Sequence, residues 1–522
     1  MDFEMPVLRN DEKAVLGLRA LYEKRGYTLF RMGSFEEYDL YMQNKSFLAD
    51  DDIITFNSKD GRLMALKPDV TLSIVKNVAP GQQRRIYYSE NVFRRSRQTG
   101  EFREINQMGL EFIGGEKAQS DIEVLELASA SLAAIGNSAL DVSHMEFIEE
   151  MLSVFDDSAQ RENAFAALRN KSPHLMREAS LSAGVEPKYI GRLEALCELS
   201  GPFFETLPGA RAIAAPSAQK PLDELEAIFS ELAERGVDTQ VRLDFSIHGD
   251  ADYYNGLIFQ GFVENAAHPV LYGGRYDNLL KRFGKDQGAT GFALYLDFLG
   301  RSLADKDASS ANAAHSDWLN IALPKGRLGN AVYQLFEQAG VSCEGVLSES
   351  RKLVFENSEK KVRIFLVKPS DVDIYVEHGA ADIGVAGKDT LLENGADVLE
   401  LVDLKLSSCR FALAGKQGFV EDPAVPLRVA TKYPVFTRRY YASLSREVEI
   451  IKLHGSIELA PLLELSDVIL DIVETGATIK ENKLEIIAEL APSSARLIAN
   501  RAAYQFKFDR IRQLSERLGE LI

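Results

Sequence analysis

Apolar and polar positions follow two different rhythms along this chain. The runs DDIITFN, RLMALK, RRIYYSENVF and INQMGLEFIG, between residues 51 and 114, alternate apolar and β-branched residues with polar ones. A period of two is what a strand with one buried face requires. A helical pattern over residues 11–26 precedes them, and residues 117–136 and 145–235 read as mostly helical. Strand patterns return at VRLDFS, YYNGLIFQGFV and GATGFALYL. Strands grouped around a helical insert predict an α+β domain built on an antiparallel sheet.

From Trp318 onward the rhythm changes. LNIALP reads as a strand, RLGNAVYQLFEQAG as a helix, VRIFLVK as a strand and PSDVDIYVEHGA as a helix. ADIGVAG, LRVATK, VEIIKLHG and DVILDIV continue the strand series. Strands alternating with helices predict a parallel α/β sheet. Between the two regimes lies RSLADKDASSANAAHS, residues 301–316, which is rich in small polar residues and has no apolar period. Its composition is that of a flexible linker. The expected layout is a domain over 1–300, a linker over 301–316 and a second domain over 317–522.

Composition narrows the function classes. Of 522 residues, 46% are hydrophobic, enough for large cores, so whole-chain disorder is excluded. The formal net charge of -18 argues against coating nucleic acid, which needs clustered Lys and Arg. Local basic pockets remain compatible with it. Cys197, Cys343 and Cys409 are widely spaced and odd in number, so they define neither a disulfide framework nor a metal site. The acidic, polar N-terminus is not a signal peptide, and no apolar run is long enough to span a membrane. A soluble protein of the cytoplasm is expected.

The sharpest candidate chemistry is DVILDIVETGATIKENKL, residues 467–484. An apolar strand runs into the turn Glu474-Thr475-Gly476-Ala477-Thr478. Backbone N–H groups and Thr hydroxyls at a strand's carboxyl end suit a phosphate, and Asp471 and Glu474 are acceptors for ribose hydroxyls. A plain strand-to-helix turn capped by threonines has the same pattern. Three basic or Gly-containing segments strengthen the first reading: Leu323-Pro324-Lys325-Gly326-Arg327, Ser350-Arg351-Lys352 and Val385-Ala386-Gly387-Lys388-Asp389. Cations at several strand ends can converge on one polyphosphate.

These segments, with CRFALAG, VATKYP, IKLHGSIELAPLLELSD and SSARLIANRA, resemble ATP phosphoribosyltransferase of the short form, over residue 318 to about 505. The resemblance implies two α/β lobes similar to type II periplasmic binding proteins, with the site between them. It implies attack of adenine N1 of ATP on C1 of phosphoribosyl pyrophosphate (PRPP), the first step of histidine biosynthesis. Adenine N1 carries no proton, so no general base is obligatory. Two polyanions must meet and pyrophosphate must leave, so cations and Mg²⁺ should supply most of the catalysis. By the same resemblance Arg327 and Arg351 are the catalytic arginines. Asp471 and Glu474, Thr475, Gly476, Ala477 and Thr478 hold PRPP. Leu323, Pro324, Lys325 and Gly387 belong to the ATP pocket. The Mg²⁺ is carried by the substrates, with no protein metal site. Lys368 stands where the family often has Arg, which replaces a fork by a point charge.

In the first half, residues 84–115 alternate Arg with aromatics. A charged outer face on a hairpin has that pattern too. Together with Asp252-Tyr253-Tyr254-Asn255-Gly256 and GGRYDNLLKRFG, this half resembles class II histidyl-tRNA synthetase over about residues 5–300. Two departures matter. Phe298 occupies the place of the Arg that clamps ATP in a synthetase. Gly249, or His248 with one gap, occupies the place of an Arg before the Tyr-Tyr segment. Neither can assist adenylation, and no anticodon-binding domain follows, so tRNA is not an expected partner. The histidine-contacting positions are better matched, at Asp69, Thr71, Arg94, Gln107, Glu111, Tyr253 and Tyr254. The pattern resembles the regulatory subunit that activates the short-form transferase and senses histidine. A vestigial scaffold and dimer interface is the competing reading.

One chain therefore resembles two proteins that are usually separate. Fusion fixes the ratio at one to one and raises the effective concentration of one part for the other. The expectation is a histidine-inhibited transferase that forms a symmetric homo-oligomer. The rivals are an amino-acid-activating protein and a non-enzymatic ligand sensor.

Overall fold

The computed structural model describes residues 10–45, 53–96, 100–237, 241–247, 249, 253–299, 317–348, 351–422 and 425–522. The chain divides into two compact units, Met1–Ala313 and Ala314–Ile522. The expected linker, along with His248, Asp252 and Ser350, lies outside the described residues.

The first unit contains β1 (Thr28–Leu29), β2 (Phe35–Glu37), β3 (Thr55–Asn57), β4 (Leu63–Leu66), β5 (Arg84–Arg95) and β6 (Phe102–Ile113). After the helix Lys117–Ile135 come β7 (Ser138–His144), β8 (Ser200–Pro202), β9 (Val241–Asp244), β10 (Leu257–Val263), β11 (Leu271–Arg275) and β12 (Ala289–Tyr295). Nine strands form one sheet in the order β1-β5-β6-β12-β11-β10-β7-β9-β8, and β2-β4-β3 form a small second one. The large sheet is antiparallel except where β1 joins β5 and β7 joins β9. Six helices between Met145 and Glu234 make up the insert. Ser200–Pro202 is a strand inside that expected helical stretch. Its sequence is too short to show a period, and its pairing with β9 decides its conformation.

The period of two sorts the faces of this sheet. Tyr87, Met108, Leu110, Phe112, Phe292 and Leu294 are buried in the core beneath Lys117–Ile135. Residues of the opposite parity, including Tyr88, Gln107, Glu111 and Tyr295, are brought side by side on the other face by the registers Tyr88↔Gly109, Glu111↔Gly291 and Gln107↔Tyr295. That second face carries the candidate pocket.

The second unit contains β13 (Leu319–Pro324), β14 (Val354–Asn357), β15 (Val362–Val367), β16 (Ile383–Gly387), β17 (Leu399–Asp403), β18 (Cys409–Lys416), β19 (Leu427–Thr431), β20 (Val448–Lys452), β21 (Val468–Val473), β22 (Leu484–Ser493) and β23 (Ala495–Ala499). They form two sheets, β14-β15-β13-β16-β23-β17 and β20-β19-β21-β18-β22. Each sheet is the centre of one lobe. The chain passes from the first lobe to the second after Asp403 and returns after Ser493.

The expectation of a parallel sheet holds only for part of each lobe. β13 pairs in parallel with β15 and β16, and β19 with β20 and β21. β14, β17, β18, β22 and β23 pair antiparallel. The reason is topological. β14 and β15 are joined by a tight turn, which makes them antiparallel, and β18 and β23 enter directly from the other lobe, not through a helical crossover within their own sheet.

Candidate functional site

The cleft of the second unit is built from strand ends. Pro324 closes β13, Gly326 follows with a φ of 93°, and the helix Arg327–Gln338 starts with Arg327 itself. The turn is tight enough that a Cβ on Gly329 would lie 1.7 Å from the Pro324 carbonyl oxygen. Arg327 therefore stands at a helix N-terminus with its side chain 85% exposed. On the other lobe β21 ends at Val473, and Glu474 to Thr478 turn into the short helix Ala477–Glu481. Gly476 caps that helix with a φ of 77°, a left-handed conformation that costs glycine little. Thr475 Oγ1 accepts from Ala477 N at 3.3 Å.

Arg327 Nη2 donates to Glu474 Oε2 at 3.2 Å, so a residue of each lobe meets across the cleft. Both groups are exposed, and such a pair contributes little stability. A second cross-lobe contact is stronger in geometry. Tyr433 Oη, just past β19, donates to Asp389 Oδ2 at 2.9 Å, and Asp389 N donates to Ser493 Oγ at 3.0 Å. Asp471 is half-buried on β21. Burial first, then the carboxylates of Glu458 and Asp389, push its carboxyl up to about 6, against Lys432 and the Ile472 N–H.

The sequence-derived transferase residues are not all equivalent in space. Lys325, Arg327, Arg351, Glu474, Thr475, Ala477 and Thr478 are exposed, Gly387 is half-buried, and Gly476 is buried under the turn. Leu323 is fully buried in the first lobe's core, and Pro324 is buried beside it. The side chain of Leu323 lies beneath the cleft surface, not in it. Arg327 and Glu474 are brought together by a direct bond.

The first unit holds a different kind of pocket. Glu111 is 2% exposed. It accepts from Thr71 Oγ1 at 2.7 Å and from Tyr276 Oη at 2.5 Å. Burial pushes its carboxyl up to about 8, with the Asp69 charge adding to it. Asp69 is also raised by burial, opposed by Arg94 at 3.9 Å and by the Leu72 N–H at 2.9 Å. Arg94 donates to the Pro68 carbonyl at 2.8 Å and to Tyr295 Oη at 3.0 Å. Gln107 is 2% exposed and its Nε2 has no hydrogen-bond partner among the described residues. Tyr253 and Tyr254 pack edge to face at 4.5 Å, and Tyr253 also meets Tyr276. All seven expected histidine-contacting residues thus fall in one neighbourhood.

Sequence reasoning missed several parts of this pocket. Tyr276 lies in the quoted GGRYD run but had no role; it is the second donor to Glu111. Tyr88 is buried beside Glu111 and Asp69, whose charges add to the burial that raises its hydroxyl. Mid-strand glycines make the room. A Cβ on Gly291 would lie 1.8 Å from Glu111 Oε2, and one on Gly274 2.6 Å from the Tyr254 ring. Glycine inside a strand pattern is the signal that was available for them. At the two places where the sequence departs from the synthetase pattern, aromatic rings lie close. Phe298 stacks on Tyr295 with centroids 5.5 Å apart, and a Cβ on Gly249 would lie 2.5 Å from the Tyr254 ring.

Comparison with known proteins agrees with this division. Residues 2–299 match the profile of the family described as histidyl-tRNA synthetase, and residues 368–520 match that of ATP phosphoribosyltransferase. The ATP phosphoribosyltransferase of Brachyspira hyodysenteriae is 56% identical over 205 residues, which are 39% of this chain and 100% of that protein. That of Clostridioides difficile is 48% identical over 208 residues, 39% of this chain and 99% of that protein. A solved structure described as an ATP phosphoribosyltransferase regulatory subunit/histidyl-tRNA synthetase, from Bacillus halodurans, is similar in fold, with a TM-score of 0.51. It is 21% identical and the match covers 70% of this chain and 93% of that one. The chain belongs to the ATP phosphoribosyltransferase family through its second unit and to the histidyl-tRNA synthetase family through its first.

Proposed function

We propose that this member of the ATP phosphoribosyltransferase family joins the phosphoribosyl group of PRPP to N1 of ATP in the cleft of its second unit, and that its first unit binds histidine and lowers that activity. The observation that carries the first part is the meeting of Arg327 and the Glu474–Thr478 turn from opposite lobes. The N1 lone pair forms the bond to C1 while the C1–O bond to pyrophosphate breaks and its electron pair leaves with the pyrophosphate. Negative charge builds up on the leaving oxygen, and Arg327 and Arg351 are the groups that neutralise it. The turn's N–H groups and Thr475 and Thr478 hydroxyls hold the 5-phosphate. Asp471 and Glu474 accept from the ribose hydroxyls. Lys325, Gly387 and the backbone at Leu323 and Pro324 border the ATP. Mg²⁺ enters as the counter-ion of the substrates' phosphates.

For the first unit, the supporting observation is a set of buried polar groups of both kinds around one space. The Gln107 Nε2 without a partner and the carboxyls of Glu111 and Asp69 suit a small zwitterion with an imidazole ring. Arg94, which also donates to the Pro68 carbonyl and Tyr295 Oη, is the cation we assign to the ligand's carboxylate. Phe298, which stacks on Tyr295, stands in sequence where a synthetase has its ATP-clamping Arg, and a phenyl ring cannot replace a guanidinium there, which disfavours adenylation. Amino-acid-dependent ATP–pyrophosphate exchange above background would reverse that part of the reading.

We place the protein in the cytoplasm as a homo-oligomer that needs neither tRNA nor a membrane. Among the described residues no helix is long and apolar enough to cross one. The direct test is product formation from ATP, PRPP and Mg²⁺, followed by ultraviolet absorbance. Steady formation of phosphoribosyl-ATP is expected. Folded protein that consumes no PRPP would leave a ligand sensor as the better reading.

A further inference from the structure

The CRFALAG run, residues 409–415, carries none of the proposed substrate contacts. Its strand, β18, is the first element of the second lobe after the crossover from Asp403. Residues 404–408 of that crossover are tied to the returning chain. Leu404 N donates to Ala495 O at 2.9 Å and Ala495 N to Leu406 O at 3.0 Å. Lys405 and Ser407 both hold a φ of 50°, a conformation non-glycine residues adopt only when their surroundings impose it. Three residues beyond Ser407, Arg410 lies opposite Val473 on β21 and opposite Pro492 on β22. Its guanidinium is half-buried. Nη1 donates to the carbonyl oxygen of Glu474, the first residue of the turn, at 3.2 Å, and Nε lies 2.7 Å from Glu489 Oε1 on β22.

We propose that Arg410 is a positioning residue for PRPP. It holds the Glu474–Thr478 turn from behind through the Glu474 carbonyl, with Glu489 fixing its other edge. The planar guanidinium matters, because one side chain bonds a carbonyl on one element and pairs by charge with a carboxylate on another. Through it the turn is referenced to β18 and β22, the two strands that carry the crossovers. A turn whose first peptide is fixed in this way keeps its N–H groups aimed at the phosphate before substrate arrives, which lowers the ordering cost of binding. The proposal rests on the reading of the turn as the PRPP site.

The test uses the full chain, with PRPP and ATP varied separately. Arg410→Ala should raise the KM for PRPP about 10- to 100-fold, the range expected for a lost hydrogen bond to a charged donor, with the KM for ATP within about twofold of the parent. Arg410→Lys keeps the charge but not the guanidinium's reach to both Glu474 and Glu489, and should fall between the two. Glu489→Gln loosens the other tether and should shift the PRPP KM in the same direction by less. Combined with Arg410→Ala it should add nothing. An unchanged PRPP KM in Arg410→Ala, equal rises for both substrates, or full additivity with Glu489→Gln would each overturn the proposal. Should Arg410→Ala fail to fold, Arg410→Lys and Glu489→Gln decide by the same criteria. A parent protein that does not turn over PRPP would instead remove the reading of the turn. A parent that does, beside an unaffected Arg410→Ala, would remove this proposal alone.

Discussion

The two units solve recognition in opposite ways. In the first, the polar groups are buried among aromatics: Glu111 and Gln107 are each 2% exposed. In the second, Arg327 is 85% exposed and faces Glu474 across an open cleft. The difference follows from the ligands proposed for them. A small zwitterion offers few charges, so each contact must be made strong by excluding water. Two polyphosphates bring a large charge with them. Exposed cations can meet it without first paying to be desolvated, and the attraction reaches beyond contact distance. The first site therefore depends on fit, the second on charge.

The comparison breaks first at Arg327. Arg327→Ala should lower kcat roughly 10²- to 10³-fold, the scale for removing one preorganised donor to developing charge. Steady-state kinetics at saturating substrates measures it. A loss confined to KM would make Arg327 a binding group only. In the first unit the matching substitution is Glu111→Gln. Histidine affinity by calorimetry should fall about 10-fold, because the amide replaces one of the two oxygens that accept from Thr71 and Tyr276 and so disturbs the pocket's hydrogen bonds. An unchanged affinity would show that histidine is bound elsewhere.

Smaller effects sharpen the contrast through pH. With Asp471 proposed as a ribose acceptor, and a carboxylate a stronger acceptor than a protonated carboxyl, kcat/KM for PRPP should fall as pH drops below about 6. Asp471→Asn should remove that dependence and leave only the titration of the substrate's own phosphate. For Glu111 the folded carboxyl sits at about 8, above an unfolded value near 4.5. Its contribution is fully present below the lower value and is lost as pH rises through the higher one. The stability of the parent relative to Glu111→Gln should therefore decline between about pH 5 and pH 8, measured as paired thermal melts. Gly291→Ala should cost about 1–3 kcal/mol, because its Cβ would meet the Glu111 carboxylate at 1.8 Å. A neutral melt there would mean that the pocket is looser than its packing indicates.

The fold class of both units was legible because each has a dominant hydrophobic period. The antiparallel strands of the second unit were not. β18 and β23 are buried like their parallel neighbours, and direction is set by where the chain comes from, not by which residues it contains. The residues proposed to bind histidine were legible through motifs, since Asp69, Glu111 and Tyr253 sit in LKPDVT, NQMGLE and the Tyr-Tyr segment, runs that resemble a synthetase. Gly291 and Tyr88 were not, because their importance lies in what packs against them across the sheet. Leu323 shows the converse. It lies in a well-matched run, yet its side chain belongs to the core. A motif places a stretch of backbone at a site, while alternation decides which of its side chains face that site.

The central claim is that the buried pocket of the first unit governs the open cleft of the second. It is tested most directly by titrating histidine into the phosphoribosyl-ATP assay with the parent chain and with Glu111→Gln. The account predicts saturable inhibition of the parent and a curve displaced to higher histidine by the same factor as the calorimetric affinity. Inhibition that Glu111→Gln leaves in place, or a parent indifferent to saturating histidine, would contradict it.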